Sequence, residues 1–288
     1  EIALGPFLFL FGLIIEFANY KPNFILFLPV IAISLYSYLD RIMLGSMSTF
    51  RELGYFDNAE KITSIPMSLI TAMGTVMLPR ISHLVENKNK IVEDKLNRLS
   101  MNFVIILSAA FSFGIIGISK GFVPLFFGPG FHPVILLLAL MAPKMIFVSW
   151  GNIICNQYLL PHSKDIIYTV SVFAGAVINV VINIILIPKF GAAGTAFSSL
   201  ITEFIIALVQ TKFAWHHMQI GLFVKECAPY VLFGMVMYIS IIHIAMGSMF
   251  ITIIVQVVVG ALIYIALTLL YMLFFKKNML RNFIMMLK

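Results

Sequence analysis

The sequence predicts an all-α protein, a polytopic membrane bundle of about eight spanning helices. The chain of 288 residues is 61% hydrophobic and only 11% charged, and its mean hydropathy is +1.04. A soluble domain carries about 25% charged residues. Apolar runs of about 20 residues recur along the chain, and each is long enough to cross a bilayer core of about 30 Å. No soluble domain fits between these runs.

The apolar runs predict eight full spans, with boundaries within about four residues. The segment before them, 1–23, is apolar but too short to span comfortably, and we interpret it as a partial or interfacial segment. The chain starts with Glu1 rather than Met, so we expect it to be a fragment of a longer protein. The spans are predicted at 24–44, 62–82, 100–119, 133–158, 166–187, 192–213, 227–246 and 250–274.

The distribution of Lys and Arg predicts the orientation. If the first span starts in the cytoplasm, thirteen of these residues fall in cytoplasmic segments and four fall outside. Because basic residues concentrate on the cytoplasmic side, we predict that both ends are cytoplasmic. This bias also explains the net charge of +7, so no nucleic-acid partner is expected. The longest loops are predicted at 45–61, 81–99 and 120–132.

Charged residues at the ends of the first two spans predict a polar path. Asp40 and Arg41 end the first span, where charge is costly unless it is compensated. Arg51 follows at the outer mouth, and Arg80 lies at the inner end of the second span. The alternative for Asp40 and Arg41 is a local ion pair at the membrane interface.

The fourth span contains a lysine next to a proline. Pro143 lacks a backbone N–H, so it frees a carbonyl and bends the helix. Lys144 at that depth should face the bundle interior or water. Asn152 and Asn156 follow on nearly the same face. We interpret the three as cavity residues; the alternative is hydrogen bonding between helices.

The sixth span carries one deep acid, Glu203, within a polar stripe. The stripe comprises Thr195, Ser199, Glu203 and Gln210. Asn179 and Asn183 form a similar pair on the preceding span. Several such stripes turned inward predict a hydrophilic cavity.

Catalytic and metal motifs are missing from the sequence. It contains no GxSxG, HExxH or Walker pattern, and no usefully spaced pair of carboxylates. Cys155 and Cys227 belong to no CxxC pair. We therefore expect no enzyme activity, no catalytic residue, no cofactor and no metal centre.

Several passages, in order over about residues 24–205, resemble one family. They are Phe27 to Ser34, Leu39-Asp40-Arg41 to Gly45, Gly54-Tyr55-Phe56 to Ile62, Leu78-Pro79-Arg80-Ile81-Ser82, Phe126-Phe127-Gly128 with Phe131, Asn156-Gln157-Tyr158-Leu159-Leu160-Pro161, and Asn179 to Glu203. The chain thus resembles the bacterial polysaccharide flippases, of O-antigen and capsule type, of the multidrug/oligosaccharidyl-lipid/polysaccharide exporter superfamily.

The resemblance implies two six-helix lobes around a central cavity, with extra helices at the C-terminus. Residues 24–213 would form the C-terminal lobe, and residues 214–288 would contain two additional helices and a cytoplasmic end. The N-terminal lobe is missing from this pattern, so a partner or a longer chain would have to supply it. The implied location is the bacterial cytoplasmic membrane.

The implied function is flipping of polyprenyl-pyrophosphate-linked oligosaccharides by alternating access, with the bilayer and this lipid-linked substrate as partners. Lys144 and Arg41 would contact the pyrophosphate, and Asp40 and Glu203 would position these cations or bind a coupling proton or sodium ion. Three alternatives stay open: an ion-coupled multidrug exporter of the same superfamily, a membrane polysaccharide polymerase or glycosyltransferase, and a structural membrane subunit.

Overall fold

The computed structural model describes residue 34 and residues 38–276, and this part of the chain is helical without a β-strand. Its first helix, α1, covers 38–47. The others are α2 Phe50–Glu86, α3 Lys90–Phe127, α4 Pro133–Met141, α5 Lys144–Ile154, α6 Asp165–Phe190, α7 Ala192–Ala214, α8 Ile220–Ile241 and α9 Met249–Phe275. A 3₁₀ turn, Pro129–Phe131, precedes α4, and a π-helical segment, Cys155–Leu159, follows α5.

Within the described residues, seven helical stretches are long and apolar enough to cross a membrane. They match the seven predicted spans from 62–82 onward, so the prediction of a multi-pass helical bundle is confirmed. The α4 and α5 helices together with the π segment make one of these spans. The segment 1–23 and most of the span 24–44 lie outside the described residues.

The loops are shorter than predicted because the helices continue beyond their apolar cores. The predicted loop 45–61 is wrong, since α2 already begins at Phe50. Thr49 caps this helix, and its Oγ1 accepts a hydrogen bond of 3.3 Å from the N–H of Glu52. The predicted loop 81–99 shrinks to 87–89, and α3 continues to Phe127 before Gly128 ends it at φ +89°.

The predicted bounds of the seventh span are also wrong. The structure starts α8 at Ile220 and ends it at Ile241, so Glu226 lies inside the helix rather than before it. Glu226 is buried there because Arg98 and Lys276 neutralise its carboxylate. A prediction from hydropathy places such a charge outside the span, because it cannot recognise partners that lie far away along the chain.

The predicted bend at Pro143 is confirmed, because α4 ends at Met141 and α5 begins at Lys144. Across the bend, the N–H of Met145 donates to the carbonyl of Ala142, and the N–H of Ile146 donates to that of Pro143, both at 3.1 Å. This three-residue spacing is tighter than that of an α-helix. The bend therefore lies directly before Lys144.

The α6–α7 hairpin packs closely through glycine. A Cβ added at Gly175 would lie 2.5 Å from the side chain of Ile206. At the start of α7, Glu52 of α2 accepts a hydrogen bond of 2.9 Å from the N–H of Ala192. A carboxylate at a helix N-terminus is stabilised by the helix dipole. These contacts hold the ends of α2, α6 and α7 together.

Candidate functional site

A polar cavity of about 350 Å³ lies beside the π-helical segment. Its lining includes three residues that the sequence predicted, Asn152, Asn156 and Glu203, and it also includes Gln210 of the same α7 stripe. Polar side chains inside an apolar bundle are costly unless water or a polar ligand meets them. The cavity therefore suits a hydrated or polar ligand.

The two asparagines are positioned by the π segment and by a glycine on α2. The N–H of Leu160 donates to the carbonyl of Cys155 at 3.0 Å, the five-residue spacing of a π-helix. Asn156 Nδ2 donates to the carbonyl of Asn152 at 3.0 Å. A Cβ at Gly74 would lie 2.0 Å from Asn152 Oδ1 and 2.9 Å from Asn156 Nδ2. The two amides occupy the space beside residue 74 only because that residue has no side chain.

Asp40 lies at a separate polar site among α1, α6 and α7. It is 3% exposed, and its carboxylate accepts hydrogen bonds from Asn183 Nδ2 at 2.5 Å and Ser199 Oγ at 2.8 Å. Asn183 Nδ2 also donates to Asn179 Oδ1 at 3.2 Å, while Asn183 Oδ1 has no partner among the described residues. Carboxylate and amide oxygens in this arrangement are ligands suited to a hard monovalent cation, and the carboxylate can alternatively carry a proton.

Lys144 lies at the first position of α5. It is half-buried, it is one of the charges that act on Asp40, and it is not among the residues that line the cavity. Lys144 and Asn152 lie within one α-helix, as the expectation of a shared face requires, and only Asn156 lies beyond it. The α5 helix covers only Lys144–Ile154, and the π segment then rotates Asn156 relative to an α-helical register.

Arg41 is paired with acids of α2. Its Nε lies 3.0 Å from Asp57 Oδ1, and its Nη2 lies 2.5 Å from Glu60 Oε2. The three side chains line an open cavity of about 290 Å³ together with Lys61 and Ser64. Asp40 accepts its hydrogen bonds from Asn183 of α6 and Ser199 of α7.

Arg51 and Arg80 lie near opposite ends of α2, roughly 44 Å apart at 1.5 Å per residue. The guanidinium of Arg51 lies 5.7 Å from the ring centroid of Tyr55, whose hydroxyl donates to the carbonyl of Gly130 at 2.9 Å. Both arginines are exposed. Their positions fit mouth residues, and neither lines the polar cavity.

One polar network was not predicted from the sequence. Arg98 Nε donates to Glu226 Oε2 at 2.9 Å, and Asn102 Nδ2 donates to the same oxygen at 3.1 Å. Lys276 Nζ donates to Asn102 Oδ1 at 3.0 Å and lies 3.6 Å from Glu226 Oε2. The spacing of Arg98 and Asn102, one helical turn apart, was the only local signal. The network joins α3 and α8 to the end of α9.

A second cluster surrounds Tyr158 at the end of the π segment. Lys164 Nζ lies 4.5 Å from the Tyr158 ring centroid, and the His217 ring stacks on it at 5.2 Å. Lys90 Nζ donates to the backbone carbonyl of His217 at 3.3 Å. Desolvation and the positive charges of Lys164 and Lys90 lower the pKa of His217, so its neutral form stacks at pH 7.

Comparisons with known proteins agree with this architecture. A family model described as "Polysaccharide biosynthesis protein" matches residues 17–85. An O-antigen transporter of Escherichia coli (strain K12) is 27% identical over 192 residues, which are 66% of this chain and 46% of that protein. A low-salt glycan biosynthesis flippase of Haloferax volcanii is 23% identical over 249 residues, which are 82% of this chain and 50% of that protein.

Among solved structures, the lipid II flippase MurJ in an inward closed conformation matches with a TM-score of 0.72 and 17% identity. The match covers 88% of this chain and 55% of MurJ. This chain thus spans about half the length of these relatives. The sequence and fold matches confirm the resemblance of this chain to the polysaccharide and lipid-linked oligosaccharide flippases of the multidrug/oligosaccharidyl-lipid/polysaccharide exporter superfamily.

Proposed function

We propose that this chain forms one lobe of a flippase that moves polyprenyl-pyrophosphate-linked oligosaccharides to the outer leaflet of a bacterial cytoplasmic membrane. The observation that carries the proposal is the polar cavity in an apolar bundle, with Asn152, Asn156 and Glu203 in its lining. The sugar head needs such a wet path, while the lipid tail stays in the bilayer. Two relatives, an O-antigen transporter and a glycan biosynthesis flippase, support a glycan-bearing substrate.

Residues 24–213 are the proposed C-terminal lobe, and residues 214–288 the proposed additional pair of helices with a cytoplasmic end. Alternating access then consists of rocking of this lobe against a second lobe. Asp40 is the proposed site of a coupling sodium ion or proton, and Lys144 and Arg41 are the proposed pyrophosphate contacts. This function needs no catalytic step.

A second candidate, an ion-coupled multidrug exporter, is favoured by one observation. That function predicts a cavity with few cations and a dominant buried acid. The charged residue lining the polar cavity is Glu203, and the carboxylate of Asp40 is buried within the bundle at 3% exposure. The two candidates differ in substrate, so a transport assay separates them.

The deciding experiment uses the full-length protein reconstituted in liposomes. A lipid-linked oligosaccharide is placed in one leaflet, and its arrival in the other leaflet is followed by a glycan-modifying enzyme added outside. Transport of this lipid but not of cationic dyes supports the flippase. Dye transport driven by an ion gradient, without movement of the lipid, would replace the proposal with the exporter.

We expect Lys144→Gln to slow flipping about tenfold, because Lys144 is a proposed contact of the anionic pyrophosphate and a hydrogen bond from a charged ammonium is stronger than one from a neutral amide. The measurement is the initial flipping rate at equal protein per liposome. Lys120→Gln removes an exposed cation from the end of α3 and serves as the control. Equal rates for both variants and the parent would show that Lys144 is not a substrate contact.

Gly74→Ala is expected to slow flipping severalfold while leaving the thermal unfolding temperature nearly unchanged. The added Cβ collides with the ends of two flexible amides, Asn152 and Asn156, so these side chains move and the helices stay in place. Gly114→Ala is a matched control, because its Cβ meets only the Met237 methyl at 3.8 Å. A normal rate for Gly74→Ala would show that the placement of these amides does not matter.

A further inference from the structure

One face of α2 is polar along a length that matches the membrane. Its polar residues recur at intervals of seven, four, three, four and seven positions, the spacing of one helix face. They are Asp57, Ser64, Ser68, Thr71, Thr75 and Ser82. At 1.5 Å per residue the face is about 38 Å long, against a bilayer core of about 30 Å. We call Ser64, Ser68, Thr71 and Thr75 the hydroxyl row.

The hydroxyl row is open in the structure. Ser64, Ser68 and Thr75 are exposed, and an apolar row that includes Leu69 and Val76 is exposed next to them. The apolar row suits contact with lipid chains. Four hydroxyls in succession suit water or a polar ligand better, because oxygen atoms without hydrogen-bond donors are unfavourable in an apolar medium.

The oxygen atoms of the hydroxyl row are available as hydrogen-bond acceptors on its exposed side. Ser64 Oγ donates to the carbonyl of Lys61 at 2.9 Å, Ser68 Oγ to that of Ile65 at 2.7 Å, and Thr71 Oγ1 to that of Met67 at 3.0 Å. Each hydroxyl proton is thereby used within the helix, while oxygen lone pairs remain. The row therefore complements ligands rich in O–H and N–H donors.

The hydroxyl row joins two cavities. Ser64 lines the open cavity beside Arg41, and Thr75 lines the polar cavity. In the polar cavity Gln210 is 2% exposed, and its Oε1 has no hydrogen-bond partner in the described part of the chain. A buried acceptor without a partner destabilises the protein unless a donor reaches it. Gln210 thus also points to a ligand with hydrogen-bond donors.

We propose that the hydroxyl row is a track along which the carbohydrate head group passes between the two cavities. The proposal rests on the proposed flippase function and adds the sugar-contacting surface to it. Sugar hydroxyls and N-acetyl amides donate to the successive oxygens, so each contact is replaced by an equivalent one a turn further along. Equivalent weak contacts allow the head group to move without binding strongly at any one position.

Cysteine labelling tests the track in the full-length protein. The parent carries Cys155→Ser and Cys227→Ser, and single cysteines are introduced as Ser68→Cys, Thr75→Cys, Leu69→Cys and Val76→Cys. A charged, membrane-impermeant thiosulfonate is expected to label the first two and not the last two. Saturating polyprenyl-pyrophosphate-linked oligosaccharide should slow labelling at Ser68→Cys at least fivefold, whereas polyprenyl pyrophosphate without sugar should not. Labelling no faster than at Leu69→Cys, or equal protection by both lipids, overturns the track.

Flipping rates separate a failure of the proposed track from a failure of the proposed function. If the native protein does not flip the lipid-linked oligosaccharide, the proposed function fails whatever the labelling shows. If it does, Ser64→Ala/Ser68→Ala in the native-cysteine protein should slow flipping at least about fivefold, the value of one hydrogen bond. Ile65→Ala/Leu69→Ala on the apolar row is the control. Equal rates for the two double variants would overturn the track and leave the function standing.

Discussion

Asp40→Asn is expected to lower the flipping rate about 10- to 100-fold and to remove its dependence on an imposed sodium or proton gradient. The change keeps the shape of the side chain but removes its charge. The carboxylate accepts hydrogen bonds from Asn183 and Ser199, and bonds to a charged group are worth about 1.5–3 kcal/mol each. A neutral amide has no negative charge to balance a bound cation and no proton to release at pH 7.

The measurement is the initial rate in liposomes, with and without each gradient, at matched thermal stability of the proteins. Asp94→Asn is the control, because Asp94 is a more exposed acid that pairs with Lys90 and lines neither cavity. A gradient response that survives in Asp40→Asn would locate ion coupling elsewhere. Loss of rate together with loss of folded protein would assign Asp40 a structural role.

Glu226→Ala should lower the free energy of unfolding by about 3 kcal/mol. The change leaves Lys276, whose side chain is 6% exposed, without its carboxylate. Breaking a buried pair by removing one partner costs about 3–5 kcal/mol, and we take the lower figure because the Arg98 side chain is 45% exposed and can turn to water. The effect is read from thermal unfolding of the purified protein in detergent.

Two further variants test whether the buried network causes the loss of stability in Glu226→Ala. Asp94→Ala removes a partner of Lys90, whose side chain is 49% exposed, and should cost less than about 1 kcal/mol. Glu226→Ala/Lys276→Met removes both buried charges, and it should regain most of the lost stability. Equal losses in Glu226→Ala and Asp94→Ala would contradict a buried network.

Composition and periodicity predicted the described spans and the bend at Pro143, because both depend on local sequence. Helix ends were less predictable, since hydropathy marks the apolar core of a span and not the turns beyond it. Asp57 and Glu60 were placed in a loop for this reason, although α2 presents both to Arg41.

The candidate site could be predicted only in part. The stripe on α7 was visible, but the structure divides it, with Ser199 bonded to Asp40 and Glu203 in the polar cavity. Asp40 meets Asn183 across 143 positions of sequence, and Arg98 meets Glu226 across 128. No spacing rule reaches over such distances. The π segment has no composition signal either, and it decides where Asn156 lies.

The contact of Glu52 with the start of α7 constrains sequence change. Gly191 has φ +54°, and a Cβ there would lie 2.8 Å from Glu52 Oε2, the atom that accepts the N–H of Ala192. Residue 191 thus cannot gain a side chain while residue 52 keeps its carboxylate in this position. In sequences that share this hairpin, the acid and the glycine should covary as a pair, so their joint presence marks which relatives close the start of α7 in the same way.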